Sequence, residues 1–365
     1  MMRRSISGAA HRTVFTWWLA VLALPWSVHA APPPTSAPPV AAYLTPQRLV
    51  AIDDTRRLNL YCLGHGAPTV IFDSGTGGGT RDWRAVQGAI AAHTTACSYD
   101  RAGYGFSDAP TRASDAANAV DDLHRLVAKA ALPVPLLLVG HSNGGIYAVL
   151  YARTYPQQVG GMVLVDPGFT GQQDFQRYGL APEKVAELEQ GNAQWVALAQ
   201  HCLELARSGA LAKSQNQSSP CLDNPPNPDP RLHAVLNHLE MQPGFFAAYL
   251  SEFQSTFVAE HGSTRNDRES PLSAHEFGAM PLVVLTAARH PAAWPDFTAQ
   301  DQQKYFDYWK QSHDRLAALS THGQSILVPN SGHFIQRDQP DTVIHYVLHV
   351  VDQVRKDLQY PSSQP

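Results

Sequence analysis

The sequence predicts an α/β fold, a mostly parallel central sheet flanked by helices and interrupted by a mainly helical insertion. Three observations predict it. Short β-rich runs alternate with longer amphipathic stretches from Leu49 to Pro167, the rhythm that buried parallel strands and their crossover helices produce. That rhythm stops after Pro167 and resumes at "MPLVVLTAA". No internal period of about 20 residues or more replaces it, which excludes a solenoid.

The elements follow in order. Residues 1–30 read as a signal peptide: Arg3, Arg4 and Arg12 precede the apolar run Val14 to Val28 and the small-residue site Val28-His29-Ala30. The apolar run is shorter than the roughly 20 residues that span a bilayer and is broken by Pro25, so no stable membrane insertion is expected after cleavage. Residues 31–45, with "APPPTSAPPV", read as an extended Pro-rich linker. Strands are then predicted at "LVAID", "LNLYCLG", "PTVIFDSG" and "TTACSYDRAG", a helix over Asp115 to Ala131, and a strand at "PVPLLLVG". A helix from Gly144 to about Arg153 and the strand "GGMVLVDP" complete the first part of the core, 46–167. The insertion, 168–278, shows helical patterns and Pro-rich turns but no long strand. The second part, 279–359, brings "MPLVVLTAA", "QSILVPNSGH" and a last helix from about Pro340 to Leu358, ahead of a short tail, 360–365.

A net charge of -4, with Lys and Arg scattered, gives no basic stripe for nucleic acid and no polybasic membrane patch. The partner expected is a small molecule. Four cysteines in an exported chain, without CxxC spacing, indicate two disulfides rather than a metal site. Cys62 and Cys97 lie in strand-like segments and Cys202 and Cys221 flank "KSQNQSSP", so Cys62 is paired with Cys97 and Cys202 with Cys221 among the three connectivities that four cysteines allow. The histidines show no HExxH or other tight ligand spacing, and no metal or cofactor is expected.

Chemistry is concentrated in "LVGHSNGGIY". Here Ser142 sits where a buried strand turns sharply into a helix, between Gly140 and Gly144. Glycines at those places let strand and helix approach closely enough to hold the serine in a strained, exposed conformation. The same turn puts the helix N-terminus and the backbone N–H of Asn143 where an oxyanion would develop. A serine hydroxyl needs a base to remove its proton. His333 follows an apolar strand and the small-residue turn Asn330-Ser331-Gly332, and is the base expected; His141, beside the serine, is expected to point into the packing around the turn.

With "GHSNGG", the run "YDRAGYGFSD" from Tyr99 to Asp108 and the segment "PNSGHFIQRDQP", the chain resembles the α/β-hydrolase superfamily over about Leu49 to Pro167 and Pro281 to Val351. The resemblance implies a GxSxG nucleophile elbow at Ser142 and a lid inserted after the sixth strand, at residues 168–278. It also implies an oxyanion hole made by the backbone N–H groups of Asn143 and, from "FDSGTG", of Thr76, with Ser74 where the family often has histidine. "GTGGGT" is not followed by Gly-Lys-Ser/Thr, which argues against a phosphate loop. Family members often carry the triad acid after the seventh strand, but this sequence reads "LVVLTAARHPAAWPD" there, with His290 near the usual place. The superfamily also tolerates an acid after the sixth strand, which puts Asp166 forward; Asp296 is the alternative acid, and Asp174 in the lid is a further candidate. Asp100 and Asp108 read as parts of a hydrogen-bonded loop with Arg101.

Within the insertion, Phe245, Tyr249, Phe253 and Phe257 recur every four residues and fall on one stripe of a helix. The stripe reads either as the packed face of a lid or as the wall of an apolar cleft. The function these features imply is an exported serine hydrolase cleaving carboxylic esters or lactones through Ser142, His333 and Asp166 and an acyl-enzyme. A peptidase, amidase or acyltransferase on the same triad is the alternative, and a non-catalytic hydrolase-fold binding protein is the alternative from another class, against which the complete set of motifs argues. The serine disfavours haloalkane dehalogenases and epoxide hydrolases, which use aspartate at the elbow.

Overall fold

The computed structural model describes residues 37–213, 220–221, 229–260, 262–270, 276–289 and 297–359. The expected signal peptide, residues 31–36 of the expected linker and the 360–365 tail lie outside the described residues. β1 (Leu49–Ala51), β2 (Arg57–Leu63), β3 (Thr69–Asp73), α1 (Arg84–Ala91) and β4 (Ala96–Tyr99) open the core, followed by α2 (Ala116–Ala130), β5 (Leu136–His141), α3 (Asn143–Thr154) and β6 (Val159–Val165). The insertion carries α4 (Pro182–Arg207), α5 (Ala210–Lys213), α6 (Pro230–Glu240), α7 (Pro243–Phe257) and α8 (Arg265–Glu269). β7 (Leu282–Ala287), α9 (Ala299–Ala317), β8 (Gly323–Val328), α10 (Ile335–Asp338) and α11 (Pro340–Gln359) complete the chain.

The strands form one sheet in the order β1-β2-β4-β3-β5-β6-β7-β8. β1 and β2 join antiparallel, and every pairing from β4 onward is parallel. Alternation along the strands explains why both faces are covered. On β5, Leu136 and Leu138 belong to the core that α2, α3 and α9 cover, whereas Leu137 and Val139 belong to the core that α1 and α11 cover. Apolar residues at every position of a strand are what a two-sided burial requires.

Local signals set the ends of the helices. Asp115 caps α2 by accepting from the Asn118 N–H, and the helix closes at Ala131 in the left-handed region. Thr298 caps α9 in the same manner, with Asp301 reciprocating. The insertion holds a small core of its own in which Cys202, Leu203, Ala206 and Leu211 meet Met241 and Phe246. Cys202 is bonded to Cys221 beside it, and Cys62 to Cys97 across the β2–β4 pairing, as the sequence led one to expect. Within the stretch expected as linker, Val40–Tyr43 forms a 3-10 turn, and Tyr43 is buried against Leu232 and Leu236 of α6. Packing therefore starts at about that turn rather than after residue 45.

The sheet changes its winding direction between β3 and β5, because the chain leaves β3 toward β4 on one side and reaches β5 on the other. Crevices outside the carboxyl ends of parallel strands at such a point are where ligands bind in open α/β sheets. The turns after β3, β5 and β6 all open at that edge.

Candidate active site

Ser142 stands between β5 and α3 with φ 53° and ψ -123°. A non-glycine residue at positive φ carries strain that the surroundings must hold in place. They do so by close approach: a Cβ on Gly144 would lie 2.3 Å from the Asp73 carbonyl oxygen, and one on Gly140 would lie 2.3 Å from the Gly144 carbonyl oxygen. The Ser142 N–H donates to Val165 O at 3.3 Å, and its carbonyl accepts from Gly145 and Gly168 at 2.9 and 2.8 Å. The serine turn is thereby tied to the end of β6.

Asp166, at that end, is fully buried and adopts φ 41°. Its Oδ1 accepts from the Ala287 N–H at 3.0 Å and from the Trp309 indole at 3.2 Å, and its Oδ2 accepts from His333 Nδ1–H at 2.6 Å. Donating Nδ1–H to a carboxylate leaves the lone pair on Nε2, the tautomer a general base needs. The sequence-predicted residues Asp166 and His333, 167 positions apart, are brought together directly. His333 is half-buried, on the turn after β8.

Two neutral histidines brace this arrangement. His141 Nε2–H donates to the His333 carbonyl at 3.0 Å, and its ring centroid lies 4.6 Å from that of His333. Burial pushes its basicity well down, with the neighbouring His333 acting in the same direction. On the far side of the acid, His313 accepts from Thr286 Oγ1 at 2.8 Å through Nδ1 and donates to Pro167 O at 2.9 Å through Nε2. Burial lowers its basicity as well.

The turn after β3 comes next to the serine: a Cβ on Gly75 would lie 3.0 Å from Ser142 Cβ. Thr76 and Asn143 are joined through their side chains, Asn143 Nδ2 donating to Thr76 Oγ1 at 2.7 Å. Ser74 is occupied structurally, accepting from the Trp83 indole at 2.9 Å and donating to Gly79 O at 3.0 Å. Other expected candidates lie elsewhere. Asp174 pairs with Arg177 at 2.7 Å, whereas Asp296 and His290 lie outside the described residues. Among the described residues no group of three His, Cys, Asp or Glu side chains is arranged to hold a metal.

Residues 63–345 match the model of the alpha/beta hydrolase family. This chain belongs to that family. Among curated proteins, this alpha/beta hydrolase is 27% identical to YbdG of Bacillus subtilis (strain 168) over 36% of the chain and 41% of YbdG. It is 22% identical to YqjL of the same organism over 79% of the chain and 85% of YqjL. A local match, 33% identical over 27% of the chain and 30% of the relative, is to a (lyso)-N-acylphosphatidylethanolamine lipase of Mus musculus. The chain thus spans well under half the length of the first and third of these relatives. Solved structures of like fold include an esterase from Thermogutta terrifontis, with TM-score 0.55 and 17% identity over 84% of this chain and 97% of that one. An ancestral haloalkane dehalogenase gives TM-score 0.62 and 17% identity over 85% and 100% of the respective chains.

The hydrolase also contains a buried charge cluster that the sequence did not announce. Arg101 turns inward, away from Asp100 and Asp108, and donates to Asp73 Oδ1 at 2.6 Å and to Glu252 Oε1 at 2.9 Å. The expected loop network holds through Asp100, which accepts from the Phe106 N–H at 3.1 Å, and through the Asp108 and Arg101 carbonyls, which accept from the Gly103 and Tyr104 N–H groups at 2.9 Å. The Arg101 guanidinium alone leaves it, while Asp108 pairs with Arg57 at 3.0 Å and Asp100 also accepts from Asn59 Nδ2 at 2.8 Å and the Thr80 N–H at 2.7 Å. Glu252, on α7, is 1% exposed. It also accepts from Tyr104 Oη at 2.7 Å, Thr76 Oγ1 at 3.1 Å and Asn143 Nδ2 at 3.2 Å. Its one sequence signal was a lone acid within "FFAAYLSEFQSTF", where burial of a carboxylate demands partners.

Proposed function

We propose that this alpha/beta hydrolase is an exported serine esterase that cleaves carboxylic esters, lactones included, through an acyl-enzyme. The observation that carries the reading is a positive-φ serine bonded to the end of β6, where Asp166 holds the His333 imidazole at 2.6 Å. Ser142 Oγ attacks the acyl carbon as His333 Nε2 takes its proton, and Asp166 stabilises the imidazolium. The negative charge formed on the carbonyl oxygen is received by the N–H groups of Thr76 and Asn143. His333 returns the proton to the departing alcohol, and a water activated by the same imidazole releases the acid.

Residues 168–278 act in this reading as a lid, and the aromatic stripe of α7 serves as part of the cleft wall. In support, Tyr249 and Phe245 lie 3.6 and 3.9 Å from where a Cβ on Gly77 would be, one residue beyond Thr76. The rings continue through Phe253 to Phe257, with Phe253 and Phe257 centroids 4.6 Å apart. An apolar wall of this kind suits an acyl chain or aromatic group better than a sugar. The two disulfides favour an oxidising compartment, consistent with export.

The test is hydrolysis of p-nitrophenyl acetate, butyrate and octanoate by the chain from Ala31, beside Ser142→Ala and Asp166→Asn. Turnover of the wild type, a loss of about 10⁴-fold in Asp166→Asn and of about 10⁶-fold in Ser142→Ala, and fluorophosphonate labelling abolished only in Ser142→Ala are the expected results. A wild type that takes the fluorophosphonate at Ser142 but leaves every ester intact would remove esters and direct the search to amides and acyl transfer.

A further inference from the structure

The buried cluster around Arg101 reaches the oxyanion turn through its backbone. Arg101 Nη2 donates to Gly75 O at 2.8 Å and Nη1 to Ser74 O at 2.6 Å. In a planar trans peptide the C=O and N–H point in opposite directions. Fixing the Gly75 oxygen toward Arg101 therefore aims the Thr76 N–H the other way, and that N–H has no acceptor among the described residues. The guanidinium that does this is itself clamped: Asp73 at the end of β3 takes one side and Glu252 of α7 the other. Tyr104, from the same loop as Arg101, grips the second oxygen of Glu252 at 2.7 Å. Burial opposes the charge on Arg101, and Glu252 and Asp73 outweigh it.

We propose that Arg101 is a positioning residue that aims the Thr76 oxyanion donor, and that Glu252, reaching in from the insertion, locks it there. The inference rests on the esterase reading of Ser142. Only a fork-shaped cation can bond two successive carbonyls and two carboxylates at once; a lysine ammonium on the same stem is a point charge with three donors. Glu252 touches the side chains of both Thr76 and Asn143, so α7 contributes to the oxyanion site as well as covering it.

The experiment measures kcat and KM on p-nitrophenyl butyrate, inhibition by an aryl trifluoromethyl ketone, and melting temperature for Arg101→Lys, Glu252→Gln and Glu252→Ala, with rates referred to sites titrated by fluorophosphonate. Loss of an oxyanion donor costs about 10² to 10³ in kcat. Arg101→Lys and Glu252→Ala should approach a loss of about 10²-fold in kcat, with KM within about threefold and ketone affinity weakened in proportion to kcat/KM. Glu252→Gln, whose carbonyl oxygen still accepts from Arg101, Thr76 and Asn143, should stay within about tenfold of wild type. Titrated sites that turn over at the wild-type rate in Arg101→Lys or Glu252→Ala overturn the proposal, whatever happens to the melting temperature. Should Arg101→Lys fail to fold, Glu252→Ala against Glu252→Gln decides: equal losses in the two, or none, overturn it. A wild type inert to both ester and fluorophosphonate sinks the esterase reading and this inference together, whereas an active wild type with unaffected variants sinks the inference alone.

Discussion

At the scale of single residues, the site owes its protonation states to burial. His141 and His313 each donate through Nε2 to a carbonyl and are held neutral, their basicity lowered from the ordinary value of 6.5 by desolvation first. The sign follows from linkage. Below 6.5 the unfolded chain protonates these rings while the folded one does not, so their contribution to stability is whole above that pH and is lost as the pH falls further. Between 6.5 and the lowered folded value the loss approaches a slope of about 1.4 kcal/mol per pH unit for each histidine. Melting temperature should hold between pH 7 and 8 as far as these groups decide it and fall below about pH 6.5; His141→Gln and His313→Gln should each flatten that acid limb, as scanning calorimetry across pH would record. Ser142, His333 and Asp166 were legible in the sequence because each ends an apolar strand in a small-residue or proline turn. Glu252, Trp309 and the inward turn of Arg101 were not, because a one-dimensional pattern does not say which lone polar side chain is buried or what meets it.

Among elements, the junction of β5 with α3 is the most constrained. Gly144 lies against the backbone of β3, and a methyl there would meet Asp73 O and Ser74 O at 2.3 and 2.8 Å. Both obstacles are main chain, so the strand and helix themselves must separate. Gly144→Ala should cost about 1–3 kcal/mol of stability and lower fluorophosphonate labelling at Ser142 further than that instability explains, which labelling rates at a temperature well below melting would establish. The strands and α2, α3 and α11 were legible because their periods are clear and their ends carry caps, prolines or glycines. α9 was not singled out. Its sequence, "AQDQQKYFDYWKQSHDRLA", is polar overall, yet Trp309 and His313, one turn apart, are the residues that hold the acid turn. A narrow buried stripe within a polar helix is faint to any reading that averages over a window.

For the molecule as a whole, the two disulfides staple different things. Cys62–Cys97 crosses neighbouring strands of the main sheet at a sequence separation of 35, and Cys202–Cys221 secures the small core of the insertion at a separation of 19. Loop-closure entropy assigns about 4 kcal/mol to the first and about 3 kcal/mol to the second. Cys62→Ser/Cys97→Ser should lower the global melting temperature while leaving turnover at 25 °C near wild type; Cys202→Ser/Cys221→Ser should lose activity on heating before the main sheet melts, seen as activity and circular dichroism parting company. The order in which the chain is made adds one more consequence. His333 and Asp166 meet across 167 residues, and His333 follows the last strand of the sheet. A chain growing from its N-terminus completes the serine turn long before it can supply the imidazole. On the esterase reading, any product broken off ahead of β8 holds the serine without its base, and through most of synthesis the site is silenced by time: nothing can be acylated by the proposed triad until the full sheet has closed.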